Sequence, residues 1–386
     1  LNDHIWELAL SGGEPPALSL RTTFGLRAKA MRLFLRFSEG NKSVSDPAKF
    51  ALPPTVRRFY PNFITIDYSP LSNIDVSTEY WVPQSNAISG RVTVVNKSNA
   101  TRKIRLELCA LLTPLNGQGM TAVQMSMVNV LTGQTDGLFP VLFLTGGPAH
   151  GSGPHPSLFL DIDLGPGATR QLTWTQAATD TVQKSFDLAR QTAARPWEAE
   201  RARLELLNAS QTIDIRTGDK DWDAAFAFSQ NTAFGLFFPP NILSRSEAER
   251  TSLPYPSIVS ARGPDNGYSP KGDGTDYPSA WNGQSPLEAY YLAEVLPASK
   301  AAQDLLMNFL AIQNEEDGTI DGKPGLSGQR GRYLAAPMLV SLAWKLYEKS
   351  EDRDFLAKVF PQLQKFFWSW FSPEYDDDRD GLPQWK

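Results

Sequence analysis

Asp376, Asp378 and Asp380 stand on alternate positions, and Gly381 follows them. Carboxylates at positions 1, 3 and 5 with glycine at 6 are the front half of a calcium loop, where oxygen ligands converge and glycine makes the sharp turn. Three negative charges this close repel one another unless a cation neutralises them. The Leu382 carbonyl would add a further oxygen, and a twelfth-position glutamate would fall beyond Lys386. The same run also reads as a solvated acidic turn after a helix, and the spacing leaves both readings open. Trp385 closes the stretch. It is either an ordinary packing residue or a platform for the apolar face of a pyranose.

A second group of polar and aromatic residues sits where loops meet helices. Residues 239–284 are a long loop rich in Pro, Gly, Ser and Asp, and loops of that length are usually functional or disordered. It ends in Tyr-Pro-Ser-Ala-Trp-Asn-Gly-Gln, which delivers Trp281, Asn282 and Gln284 to a helix start marked by Ser285, Pro286 and Glu288. A second glycine-rich loop, Asp317 to Gly331, leads to Arg332. Successive hairpin loops meet at one end of a helical layer. Trp281, Asn282, Gln284 and Arg332 are therefore expected to line one concave end, hydrogen-bonding sugar hydroxyls while the ring stacks. Asp273, Asp276, Asp317 and Asp321 lie in the same loops and are read as binding or structural groups rather than catalytic ones.

Composition narrows the classes. The chain has 386 residues, 41% hydrophobic and 20% charged, with net charge −5, as in ordinary globular proteins of two or three domains. No dense Lys/Arg run points to nucleic acid, and no apolar run approaches a membrane span. Three histidines, His4, His150 and His155, argue against a three-histidine zinc site or a Ser-His-Asp triad. The single cysteine, Cys109, excludes an internal disulfide. With no signal peptide visible, a cytoplasmic location is slightly favoured. The start at Leu1 and the stop just after a motif suggest a piece of a longer protein. The oligomeric state is left open.

The elements that must position these residues change character along the chain. Residues 1–190 read as an antiparallel β-sandwich: short strands at Ile64–Tyr68, Leu138–Leu144, Leu158–Leu164 and Arg170–Thr175, punctuated by Gly and Pro. Ile88–Val95 and Ile104–Leu112 read as a hairpin across the Asn96–Asn99 turn. His150 and His155 fall in a Gly-rich loop and are expected to be exposed. Residues 191–220 hold a linker helix with Trp197, Ala199, Leu204 and Leu207 on one side. Residues 221–386 read as helices at about 221–237, 286–294, 299–313 and 335–349, then an aromatic run from Phe355 to Trp370 that Pro361 is expected to divide. In the first of these, Trp222, Ala225, Phe226, Ser229, Ala233 and Leu236 are the expected buried stripe. Similar helices joined by alternately long loops describe stacked αα-hairpins.

These pieces together resemble the catalytic domain of glycoside hydrolase family 63, and more loosely the trehalases and other glycosidases built on an (α/α)₆ toroid. The likeness is carried by YPSAWNGQSPLEAYYLA, FLAIQNEEDGTI, LAAPMLVSLAWKLYEKSEDRDFL and DDDRDGLPQW, in that order over Asp221 to Trp385. The β region resembles, in class and position, the sandwich that precedes the toroid. The resemblance implies a half-built barrel and a catalytic acid and base beyond residue 386, so no catalytic residue is assigned within the chain. It implies calcium at Asp376, Asp378 and Asp380. The family's Trp-Asp pair is Trp281-Asn282 here, a departure at the sugar contacts. The expected function is the N-terminal part of an inverting glycosidase acting on α-linked glucosides or related sugars. The alternatives are a carbohydrate phosphorylase, to whose phosphate cradle Arg330 and Arg332 would contribute, and a non-catalytic carbohydrate-binding protein.

Overall fold

The computed structural model describes residues 4, 6–25, 27–84, 86–209, 213–235, 237–238, 255, 257–258, 286–295, 299–322 and 334–384. The chain divides into two compact units, the first holding Leu1–Glu205 and the second beginning at Leu206.

In the first unit, most strands alternate apolar and polar residues and bury the apolar side. In chain order they are β1 (Glu7–Ala9), β2 (Ser19–Thr22), β3 (Ala28–Glu39), β4 (Lys42–Val44), β5 (Leu52–Tyr60), β6 (Phe63–Leu71), β7 (Ile74–Gln84) and β8 (Ala87–Asn96). They continue as β9 (Arg102–Pro114), β10 (Gly117–Met125), β11 (Val128–Thr135), β12 (Phe139–Leu144), β13 (Ala149–His150), β14 (Ser157–Leu164) and β15 (Thr169–Thr179). Sheet A has the order β1-β2-β3-β9-β14-β13, with β4 on the end of β3, and sheet B the order β10-β11-β12-β15-β8-β7-β6-β5. All these pairings are antiparallel. One core lies between the sheets, with Leu33, Phe37 and Leu106 from sheet A against Val92, Leu172 and Trp174 from sheet B.

The expected hairpin at 88–112 is not formed. β8 pairs with β7 and β15 in sheet B, whereas β9 pairs with β3 and β14 in sheet A. The turn signal is real but serves a crossing between layers. Asn96 donates through Nδ2 to the carbonyls of Ala100 (2.8 Å), Leu164 (2.9 Å) and Gly165 (3.0 Å), and its Oδ1 accepts from the Ser98 amide at 2.9 Å. Alternation says which side of a strand is buried, not which sheet it joins. The histidines also differ from expectation. His150 lies in β13 and His155 sets its ring edge against Phe34, and both are half-buried.

Two helices lie on the outer face of sheet B. Helix α1 (Val182–Ala193) begins where the Thr181 hydroxyl accepts from the Lys184 amide, so the strand region stops at Thr179. Its Phe186 and Ala189 pack on Val141, Val130, Ala87 and Ala177. Helix α2 (Trp197–Ala209) sets Leu204 against Phe63 and Trp81, while Leu207 is exposed.

The second unit is helical. Helix α3 (Lys220–Gly235) starts on Asp219, whose carboxylate accepts the Asp221 amide at 2.9 Å. Its expected buried stripe is wrong: Trp222 is 61% exposed, Phe226 and Phe228 are exposed, and the buried residues are Gln230 and Asn231. Apolar residues run all round this helix, so periodicity selects no face. Gln230 instead fixes the orientation by exchanging hydrogen bonds with the Ile213 backbone at 2.8 and 3.0 Å. Leu236 lies outside the described residues.

Helices α4 (Pro286–Val295), α5 (Ser299–Ala311), α6 (Met338–Ser350) and α7 (Arg353–Ser369) share a core of Leu305, Leu306, Phe309, Leu339, Leu342 and Phe366. α4 packs on α6, and α5 on both α6 and α7, as alternate helices of stacked hairpins do. Pro361 does not divide the last helix. It lies inside α7 on the exposed side, where water can take the carbonyl it leaves without a donor. α7 also has a second apolar face. Phe360 and Trp368 are 56% and 62% exposed and, with Trp344 of α6, line an apolar groove of about 440 Å³.

Candidate functional site

The acidic loop grows out of the end of α7. Trp370 anchors that end in the core and sets its ring against Tyr375, which ends the short 3₁₀ turn Pro373–Tyr375. The loop returns so that the Gln384 amide donates to the Tyr375 carbonyl at 2.6 Å, closing its ends. Between these points the backbone passes twice through the left-handed region, at Arg379 (φ 57°) and Gly381 (φ 84°). Glycine takes that conformation without steric cost, which is the use of the sixth position of a calcium loop.

The turn is held by its own carboxylates. Asp376 accepts from the amides of Asp380 (3.0 Å) and Gly381 (3.1 Å), and Asp380 accepts from the Leu382 amide at 2.8 Å. This curls the chain so that one oxygen from each of Asp376, Asp378 and Asp380 lies within 4.8 Å of the others. Calcium–oxygen bonds are about 2.3–2.6 Å, so two ligands of one ion can stand no more than about 5 Å apart. The three aspartates meet that limit, and an all-oxygen donor set suits a hard cation. Asp376 is half-buried and the other two are exposed. The closure through Tyr375 and Gln384 is the part that spacing did not suggest, because backbone hydrogen bonds leave no mark in residue type.

Trp281, Asn282, Gln284, Arg332 and Trp385 lie outside the described residues, as do Asp273, Asp276 and Arg330. Asp317 is described, and it builds a turn. Its Oδ1 accepts from the Thr319 amide (2.8 Å) and hydroxyl (2.6 Å), and its Oδ2 accepts from Asn314 at 2.9 Å. Asp321 is buried in a bridge to Leu334.

No family model matches the chain. No curated protein matches it either. Solved structures do. A bacterial glucoamylase complexed with acarbose superposes with a TM-score of 0.50 at 12% identity, over 88% of this chain and 53% of that one. A protein described as a kojibiose phosphorylase from the human microbiome gives 0.48 at 13% identity, over 97% and 54%. A family 92 α-mannosidase from Bacteroides thetaiotaomicron gives 0.34 at 10%, over 89% and 57%. The chain thus spans about half the length of these structures. These three neighbours are two glycosidases and a phosphorylase, and what the chain shares with the glucoamylase is the fold. No described helix is long and apolar enough to cross a membrane.

Proposed function

We propose that this chain is the N-terminal part of an inverting glycoside hydrolase acting on α-linked glucosides or related sugars. The observation that carries the reading is the fold: a two-sheet unit followed by packed helical hairpins, shared with a glucoamylase over 88% of the chain. On this reading α3 to α7 are the first part of an (α/α)₆ toroid, and the uncovered aromatic face of α6 and α7 is where the ring continues. Trp281, Asn282, Gln284, Arg332 and Trp385 contact the sugar. A calcium ion held by Asp376, Asp378, Asp380 and the Leu382 carbonyl fixes the loop beyond α7.

Inversion needs one carboxyl group to protonate the leaving oxygen and another to activate water, roughly 6.5–9.5 Å apart. Asp317 is committed to its turn, and the acidic loop brings three carboxylates far closer than that. The resemblance to glycoside hydrolase family 63 supports placing the acid and base beyond residue 386. The test is turnover of maltose, trehalose, kojibiose and aryl α-glucosides, with and without phosphate. The 386-residue chain alone should release no sugar, and the protein with its downstream sequence should release glucose without phosphate. Phosphate-dependent turnover would assign a phosphorylase instead. Binding without turnover in either form would assign a carbohydrate-binding protein. Activity of the 386-residue chain that is lost in Asp273→Asn or Asp276→Asn would place the catalytic pair inside it.

A further inference from the structure

Among the described residues, no helix packs on the outer face of sheet A. Strand register sets its side chains in rows. Arg36, Glu107 and Phe159 face one another across β3, β9 and β14, then Ser38, Arg105 and Asp161, then Lys103 and Asp163. These rows floor a groove of about 750 Å³, walled by the β3–β4 hairpin at Gly40 and Ser43 and by the loop Gly151-Ser152-Gly153. Small-molecule clefts span about 300–1,000 Å³.

The groove is built rather than incidental. A Cβ on Gly151 would lie 2.0 Å from the Ser157 hydroxyl and 2.8 Å from a Glu107 oxygen, and one on Gly153 would lie 2.8 Å from the Arg36 guanidinium. Glycine lets the loop press down onto the deepest pair. There Glu107, 4% exposed, accepts from Arg36 Nε at 2.7 Å and from the Ser157 hydroxyl. Arg105 donates to both oxygens of Asp161, at 2.7 and 2.9 Å, and its guanidinium lies 4.1 Å over the Phe159 ring. A guanidinium held on both sides is a fixed plate of donors.

The chemistry selects the ligand. Arg36, Lys103 and Arg105 are matched by Glu107, Asp161 and Asp163. An anion would meet carboxylates, a cation would meet guanidinium and ammonium groups, and an apolar molecule would find one ring already covered. A sugar hydroxyl both donates and accepts, so alternating charged donors and acceptors suit it. We propose that this groove on the sandwich is a carbohydrate site for a neutral oligosaccharide of about two or three rings. The proposal rests on the reading of the chain as carbohydrate-active.

The test uses the intact chain with maltotriose, cellotriose and mannotriose, followed by calorimetry and by hydroxyl-radical footprinting of Phe159. At least one sugar should slow oxidation of Phe159 threefold or more. The double variant Arg105→Ala/Asp161→Ala, on exposed side chains and checked by circular dichroism, should weaken that binding tenfold or more. Unchanged oxidation with all three sugars would overturn the groove, and so would equal affinity in the variant or equal protection by inorganic phosphate. Protection confined to residues 286–384 would overturn it while leaving the proposed function standing. Turnover of α-glucosides by the longer protein with no protection at Phe159 would do the same.

Discussion

Arg91 and Glu79 face each other on the outer side of sheet B, and Arg105 and Asp161 do so on the outer side of sheet A. The first pair is under a helix. Arg91 and Glu79 meet at 2.6 Å with side chains 8% and 7% exposed, and α2 brings Trp197, whose indole donates to Glu79 at 3.0 Å, together with Glu198 and Arg201. The second pair is in the open, its side chains 46% and 63% exposed. Its hydrogen bonds hold the Asp161 carboxyl below the ordinary carboxylate range. The residues are alike, and their surroundings decide what they do. A covered ion pair fixes how a helix docks, and an open one is left to meet a ligand.

The comparison breaks first where charge is buried. Glu79→Ala takes from Arg91 the buried carboxylate that faces it across the strands under α2, and losing one partner of a buried pair costs about 3–5 kcal/mol. Denaturant unfolding should show this loss, with a lesser one for Glu198→Ala, whose carboxylate is largely exposed. Loss of less than about 1 kcal/mol for Glu79→Ala would mean that α2 does not seal the pair.

The acidic loop of the second unit sharpens the contrast. Like the face of sheet A it is exposed and charged, but its three closest carboxylates have one sign. It should therefore gain from a cation where the balanced face does not. Calcium at a hundred times its dissociation constant should add about 2.7 kcal/mol to the stability of the unit that holds the loop. Chelation should remove the gain, and Asp378→Ala should show none. Equal calcium binding by wild type and Asp378→Ala would eliminate the site.

The smallest effects are expected on the open face. Arg105→Ala should change stability by no more than about 1 kcal/mol, as for other exposed pairs. Further along β9, beyond Glu107, Cys109 is fully buried beside Ala17 and Phe34, its thiol pushed up to about 12 by burial and then by Glu107. Cys109 should resist alkylation at pH 8 in the native protein and react once the chain is unfolded. Fast native labelling would show that sheet A opens there.

Much of the architecture was legible because period and punctuation are local. Helix limits at α4 and α5 fall within a residue or two of those read from the spacing. What failed depended on partners distant in sequence. The step of β8 and β9 into different sheets is one case, and the inverted burial of α3, decided by Gln230 and Ile213, is another. Pro361 failed differently: a proline on the wet side of a helix costs too little to break it. The three aspartates were legible because their spacing is itself the geometry. The rows of sheet A were not, since Arg36, Arg105 and Asp161 acquire meaning only from the strands beside them.

The proposed function is most directly tested by the anomer first released when the protein with its downstream sequence cleaves an α-glucoside. Proton magnetic resonance within the first turnovers reads it before mutarotation. Single displacement by water predicts β-glucose as the first product, without dependence on phosphate. α-Glucose as the first product, or glucose 1-phosphate formed only when phosphate is present, would contradict the assignment.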